Sequence, residues 1–256
     1  MRKAAIVLLA LGCLPFAAHA AAPETAGEAA GEAAKPVKWE EWHAGNAIED
    51  TSSLQRGARN FMNYCNGCHA LKYVRYQRMA DDLKIPTDVL SRDLVAPGSN
   101  ALSYITTSLP AADAVNWFGK VPPDLSLITR SKSPDYVYRL FKTFYVDPAS
   151  ATGTNNLAYP GVAMPAVLSD LCGVNQAVFR QDGDQKVFDH FENIVPGALT
   201  PAQCDDFVRD TVNFLDYVGE PTQIERRTIG IWVVLFLILL TWLTWLLKNE
   251  YWKDVH

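Results

Sequence analysis

The chain has 256 residues, 49% of them hydrophobic, and a formal charge of −5. That length bounds it to about one domain with a sizeable core, and no internal repeat divides it. A chain of net negative charge excludes a nucleic-acid partner, which calls for a cationic surface to neutralise phosphates.

Arg2 and Lys3 precede an apolar run from Ala4 to Ala18, and Ala18-His19-Ala20 presents small residues where a signal peptidase reads them. Residues 1–20 are expected to be a cleaved signal peptide, and their loss takes the formal charge from −5 to −7. A lipoprotein reading through Cys13 competes, although Ala10-Leu11-Gly12 places leucine one position off the usual lipobox. Ala21 to Pro36 is almost wholly Ala, Glu and Gly. It has too little bulky apolar surface to offset the cost of ordering, so residues 21–38 read as a flexible leader. Acidic residues then gather at Glu40/Glu41, Glu49/Asp50, Asp81/Asp82 and Asp182/Asp184/Asp189. They form either a solvated face or a landing surface that speeds encounter with a basic partner.

Ser53 to Tyr64 places Leu54, Ala58, Phe61 and Met62 at helical spacing and runs directly into Cys65-Asn66-Gly67-Cys68-His69. Two thiols at C-x-x-C spacing followed by an imidazole are the donors that attach a haem covalently and bind its iron from the proximal side. A zinc half-site or a redox dithiol would use the same cysteines. No second C-x-x-C and no H-x-x-x-H follows, however, and neither reading employs His69. Met62, Met79, Met164, His43, His190 and His256 remain for the other face of the iron. Met62 lies on the helix that carries Cys65, Met79 has little chain in which to cross the porphyrin, and His190 sits in a polar, acidic stretch. Met164 ends a long segment without helical or strand period, residues 149–165, and is the favoured distal ligand, with His43 the imidazole least firmly excluded. Thioether ligation raises the reduction potential relative to a second imidazole. A gap-filling core role for Met164 is the plain alternative.

Setting aside Cys13 and the two motif thiols leaves Cys172 and Cys204, expected to pair as a disulfide in an oxidising compartment; two free buried thiols are the alternative. Thr200 with Gln203 makes a capping box, Pro201 takes the first helical position, and Gly219 with Pro221 stops a helix. Its apolar face is Phe207, Val208, Thr211, Val212, Phe214, Leu215 and Val218. Thr228 to Leu247 is 20 residues without a charge, long enough to span a bilayer, with Trp242, Trp245, Tyr251 and Trp252 toward its end. Export of the N-terminus, more than flanking charge, sets the orientation. The expected organisation is therefore a leader, a periplasmic haem domain over 39–221, an anchor helix over 222–248 and a cytoplasmic tail over 249–256. Strand signals are sparse and the class is mostly α.

Several segments, in order, resemble the cytochrome c1 family: Leu54-Gln55-Arg56-Gly57, Pro122-Pro123-Asp124-Leu125-Ser126, Asp135-Tyr136-Val137, Tyr159-Pro160-Gly161 leading to Met164-Pro165, and the single C-terminal anchor. The resemblance covers about residues 39 to 250 and is of bacterial type. It implies a class I c-type cytochrome-like haem domain with long loop insertions and one haem c bonded through Cys65 and Cys68. It also implies His69 and Met164 as axial ligands, Pro123 against the haem edge, and Arg130 with Tyr136 at the propionates. Lys132 stands as an alternative to Arg130, Pro122-Pro123-Asp124 reads equally as a capped helix start, and the stretch from Cys172 to Cys204 looks like a local insertion. The activity implied is electron transfer within a ubiquinol:cytochrome c oxidoreductase (bc1) complex, a dimeric assembly with cytochrome b and a Rieske iron-sulfur protein. A soluble or membrane-anchored cytochrome c would be the acceptor, at the bacterial inner membrane, and the chain would have no bond-making active site of its own.

Overall fold

The computed structural model describes residues 37–254, so the expected signal peptide, nearly all of the leader, Cys13 and His256 lie outside the described residues. In chain order the elements are α1 (Thr51–Tyr64), β1 (Leu71–Arg75), α2 (Tyr76–Leu83), α3 (Thr87–Val89), β2 (Tyr104–Ile105), α4 (Ala111–Phe118), α5 (Ile128–Lys132) and α6 (Pro134–Lys142). They continue with β3 (Phe144–Val146), β4 (Thr154–Asn156), α7 (Ser169–Cys172), β5 (Val174–Asp182), β6 (Gln185–Val195), α8 (Pro201–Gly219) and α9 (Gln223–Tyr251).

The Cys65–His69 motif follows directly from α1, which packs against α8. Asp50 starts α1 by accepting the backbone N–H groups of Ser52 (2.9 Å) and Ser53 (3.1 Å), two residues earlier than the apolar spacing alone suggests. The capping box of Thr200 and Gln203 starts α8, and Val208, Val212, Phe214, Leu215 and Val218 are buried, as the helical period requires; Phe207 is half-buried. Gly57 lets the two backbones meet, since a Cβ there would stand 2.1 Å from the carbonyl oxygen of Asp210. Around that contact Arg56 forks onto the Asp210 carboxylate at 2.6 and 2.9 Å, and Asn60 donates to Phe207 O and Thr211 Oγ1, each at 3.2 Å. Leu54, Ala58 and Phe61 of α1 join Leu71, Val74, Met79 and Leu83 in the same core. Each such fully buried Leu, Phe or Met contributes roughly 1.5–3 kcal/mol.

Helices carry most of the regular structure, but strands are more extensive than the sequence reading expects. Among the described residues there are three two-stranded antiparallel sheets, and the largest is the β5–β6 hairpin inside the supposed insertion from Cys172 to Cys204. Register shifts between Val174 and Asn175 and between Val178 and Phe179 break the period-2 alternation that identifies strands. The turn signal was nevertheless present in Asp182-Gly183-Asp184, where Gly183 takes φ +61°.

Only residues 220–222 separate α8 from α9. Glu220 holds this joint, accepting from Arg226 of α9 (Nη2, 3.1 Å) and pairing with Arg130 of α5 at 3.1 Å. Beyond it, α9 runs 29 residues, about 43 Å at 1.5 Å per residue. Its apolar side chains are exposed throughout, and it is long and apolar enough to cross a membrane.

Candidate haem site

The motif forms a tight turn at the end of α1. Cys65 closes the helix by donating its N–H to Phe61 O (2.9 Å), and the N–H groups of Cys68 and His69 return to Cys65 O at 3.0 and 2.8 Å. Both cysteines are free thiols, Cys65 buried and Cys68 half-buried. Burial, reinforced by Cys68 alongside, pushes the Cys65 thiol up to about 12. The imidazole of His69 meets Pro123 O at 2.8 Å through Nδ1. A carbonyl only accepts, so Nδ1 carries the proton and Nε2 keeps the lone pair that an iron ligand needs. Burial also holds His69 below its ordinary value, against the opposing influence of Pro123 and Asp124, which keeps the ring neutral.

A second segment clamps this turn at both ends. At its start, Thr107 Oγ1 donates to Gly67 O (2.8 Å) and Asn66 Nδ2 donates to Thr106 O and His69 O, each at 3.3 Å. At its end, Leu125 N donates to Ala70 O (2.9 Å), and the Asp124 carboxylate takes Lys72 N (2.9 Å) and Ser126 N (3.0 Å). Asp124 therefore does not cap a helix: α5 begins only at Ile128 and lacks a side-chain cap, because the carboxylate is committed to the strand after the motif. Asn66, Thr107 and Ser126 were assigned no role of their own from the sequence, and Asp124 only that of a helix cap.

The methionines separate cleanly. Met79 is fully buried and Met62 packs against the core, whereas Met164 is half-buried in irregular chain between β4 and α7, outside that cluster. His43 is engaged with Asp135 at 2.8 Å and His190 with Asp189 at 2.8 Å. Arg130 is paired with Glu220, while Lys132 lies over the Tyr136 ring, 5.9 Å from its centroid. Tyr136 is half-buried against the core and its hydroxyl is pushed up by burial, with Tyr159 adding to the effect. Pro123 itself is exposed. Cys172 and Cys204 are joined by a disulfide with Cα atoms 5.4 Å apart, which ties α7 to the first turn of α8.

Two free thiols at C-x-x-C spacing beside a neutral imidazole with Nε2 available are the donor set that a covalently held haem takes. Among the described residues no three His, Cys, Asp or Glu side chains converge to hold a metal ion, as a zinc reading would need.

Comparison with known proteins agrees with this chemistry. The pattern of the Cytochrome C1 family matches residues 103–255. A cytochrome c1 of Allochromatium vinosum is 47% identical over 212 residues, covering 82% of this chain and 87% of that protein. An ammonia monooxygenase gamma subunit of Nitrosomonas europaea is 37% identical over 259 residues, covering 100% of both. A cytochrome b/c1 of Bradyrhizobium diazoefficiens is 27% identical over 256 residues, covering 81% of this chain and 34% of that protein. With a thiol pair and an oriented imidazole at the end of α1 and a membrane-length helix at the C-terminus, the chain belongs to the cytochrome c1 family of haem-carrying respiratory electron-transfer proteins.

Proposed function

We propose that the chain is the one-electron relay of a quinol:cytochrome c oxidoreductase, accepting from a Rieske iron-sulfur protein and delivering to a soluble or membrane-anchored cytochrome c. The observation that carries this reading is the Nδ1 contact of His69 with Pro123 O beside two free thiols, an arrangement suited to axial ligation. When bound, the haem supplies a single iron that alternates between ferric and ferrous states. Cys65 and Cys68 would hold it by thioether bonds, and His69 and Met164 would ligate its iron. A filled distal position disfavours oxygen chemistry at the iron. In such a complex the quinol step falls to cytochrome b. Arg130 is already engaged with Glu220, which favours Lys132, beside Tyr136, as the cation facing the propionates.

On this reading residues 1–20 are removed on export and 21–38 form a leader. The haem domain over 39–221 lies in the periplasm, 222–248 anchor it in the inner membrane, and 249–256 face the cytoplasm. The test is a visible spectrum and redox titration of the detergent-solubilised protein beside Met164→Leu. The wild type is expected to show a low-spin haem with the weak far-red methionine-to-iron band, which the variant loses together with the high potential. Retention of both in the variant would move the distal ligand elsewhere, with His43 next in line. Co-purification with cytochrome b and a Rieske protein separates this complex from a monooxygenase assembly.

A further inference from the structure

Lys120 belongs to the segment that orients His69 through Pro123, and Tyr159 to the segment that leads to Met164. Lys120 stands three residues before Pro123, whose carbonyl orients His69, and Tyr159 stands five residues before Met164. The Lys120 ammonium lies over the Tyr159 ring, 5.3 Å from its centroid. Among the described residues it forms no ion pair with a carboxylate, so the ring is the partner it has. Tyr159 is itself fixed from behind: its N–H donates to Asn156 Oδ1 (3.0 Å), and Gly161 N donates to Asn155 Oδ1 (2.9 Å). Past Gly161, residues 162–164 make no backbone hydrogen bond among the described residues. The segment that presents Met164 is thus held at its root by β4, and the cation–aromatic contact links that root to the chain on the His69 side.

We propose that Lys120 and Tyr159 form a latch between the proximal and distal segments, which makes Lys120 a positioning residue for the distal ligand. This rests on the reading of Met164 as that ligand. Opening the distal segment to expose the iron must break the contact, so the latch sets part of the cost of detaching the methionine. An exposed cation–aromatic pair of this kind corresponds to about a two- to fivefold change in that equilibrium.

The experiment uses the full-length ferric holoprotein in detergent and titrates it with imidazole, following loss of the far-red methionine band. Imidazole reaches the iron only when the distal segment opens, so its affinity reports the opening equilibrium. Lys120→Gln and Tyr159→Leu are each expected to bind imidazole about two- to fivefold more tightly than wild type. The double variant is expected to add nothing further. Tyr159→Phe, which keeps the ring, and Lys120→Arg, which keeps the charge, are expected to match the wild type. Unchanged or weaker imidazole binding in Lys120→Gln overturns the latch, as do independent, additive effects of the two substitutions. Met164→Leu is the control: if it keeps the far-red band, the ligand reading fails and the latch falls with it; if it loses the band, a silent Lys120→Gln counts against the latch alone.

Discussion

The carboxylate of Asp124 accepts the backbone N–H of Lys72 at 2.9 Å, closing a ring of contacts around the point where Pro123 meets His69. One side chain thereby aligns the two stretches of chain whose relative position orients the His69 imidazole. Asp124→Ala removes acceptors for two backbone donors, those of Lys72 and Ser126. The expected loss is about 1–3 kcal/mol of stability, with Asp124→Asn losing less. Urea unfolding of the holoprotein followed by circular dichroism checks both, and equal midpoints for wild type and Asp124→Ala would refute the clamp.

Gly57 sits where α1 and α8 come together, and its missing Cβ is the reason they can. Gly57→Ala must push the helices apart, because the obstructing atom is backbone at Asp210. Overpacking of this type costs about 1–3 kcal/mol or more, despite the better helix propensity of alanine. Thermal unfolding should show a lowered midpoint; a rise would mean that the helices have room to separate at no cost.

The disulfide between Cys172 and Cys204 spans a sequence separation of 32. In the chain-entropy view a crosslink of that length contributes about 3–4 kcal/mol. The double variant Cys172→Ser/Cys204→Ser, and wild type under a strong reductant, should therefore unfold at similarly reduced urea concentrations. A reductant effect that persists in the double variant would point to a different thiol.

Asp205 is the centre of an ionic cluster: it pairs with Lys142 at 2.9 Å and Arg209 at 2.7 Å and accepts from the Tyr138 hydroxyl. Burial works to raise its pKa, but these donors outweigh burial and hold it at about 2. A carboxyl depressed in the folded state stabilises fully above its unfolded value near 4 and loses that contribution as pH falls through about 2. Stability should consequently decline between about pH 4 and pH 2, and Asp205→Asn should flatten that part of the profile. Urea midpoints measured across this range for both proteins decide the matter.

How much of this could be read from the residues depends on whether the signal was local. The start of α8 was legible because Thr200, Pro201 and Gln203 are contiguous, and its buried face followed from the helical period. The Cys65-Asn66-Gly67-Cys68-His69 run stood out for the same reason, being five residues in a row. The β5–β6 hairpin was missed because its two register shifts moved apolar residues off the alternating pattern, although Asp182-Gly183 marked the turn. The clamp was missed because it joins Asp124 to a backbone N–H 52 residues away, which no local period records. Arg130 shows the same limit, since its pairing with Glu220 depends on how α5 lies against the end of α8.

The joint at Glu220 has a mechanical meaning. Residues 220–222 are the whole connection between α8, which packs against α1, and the membrane-length helix α9, and Arg130 and Arg226 both pair with Glu220 within it. Three residues leave little slack between the two helices. On the proposed reading of α9 as the membrane anchor, this short joint ties the height and tilt of the domain above the lipid to the fold itself.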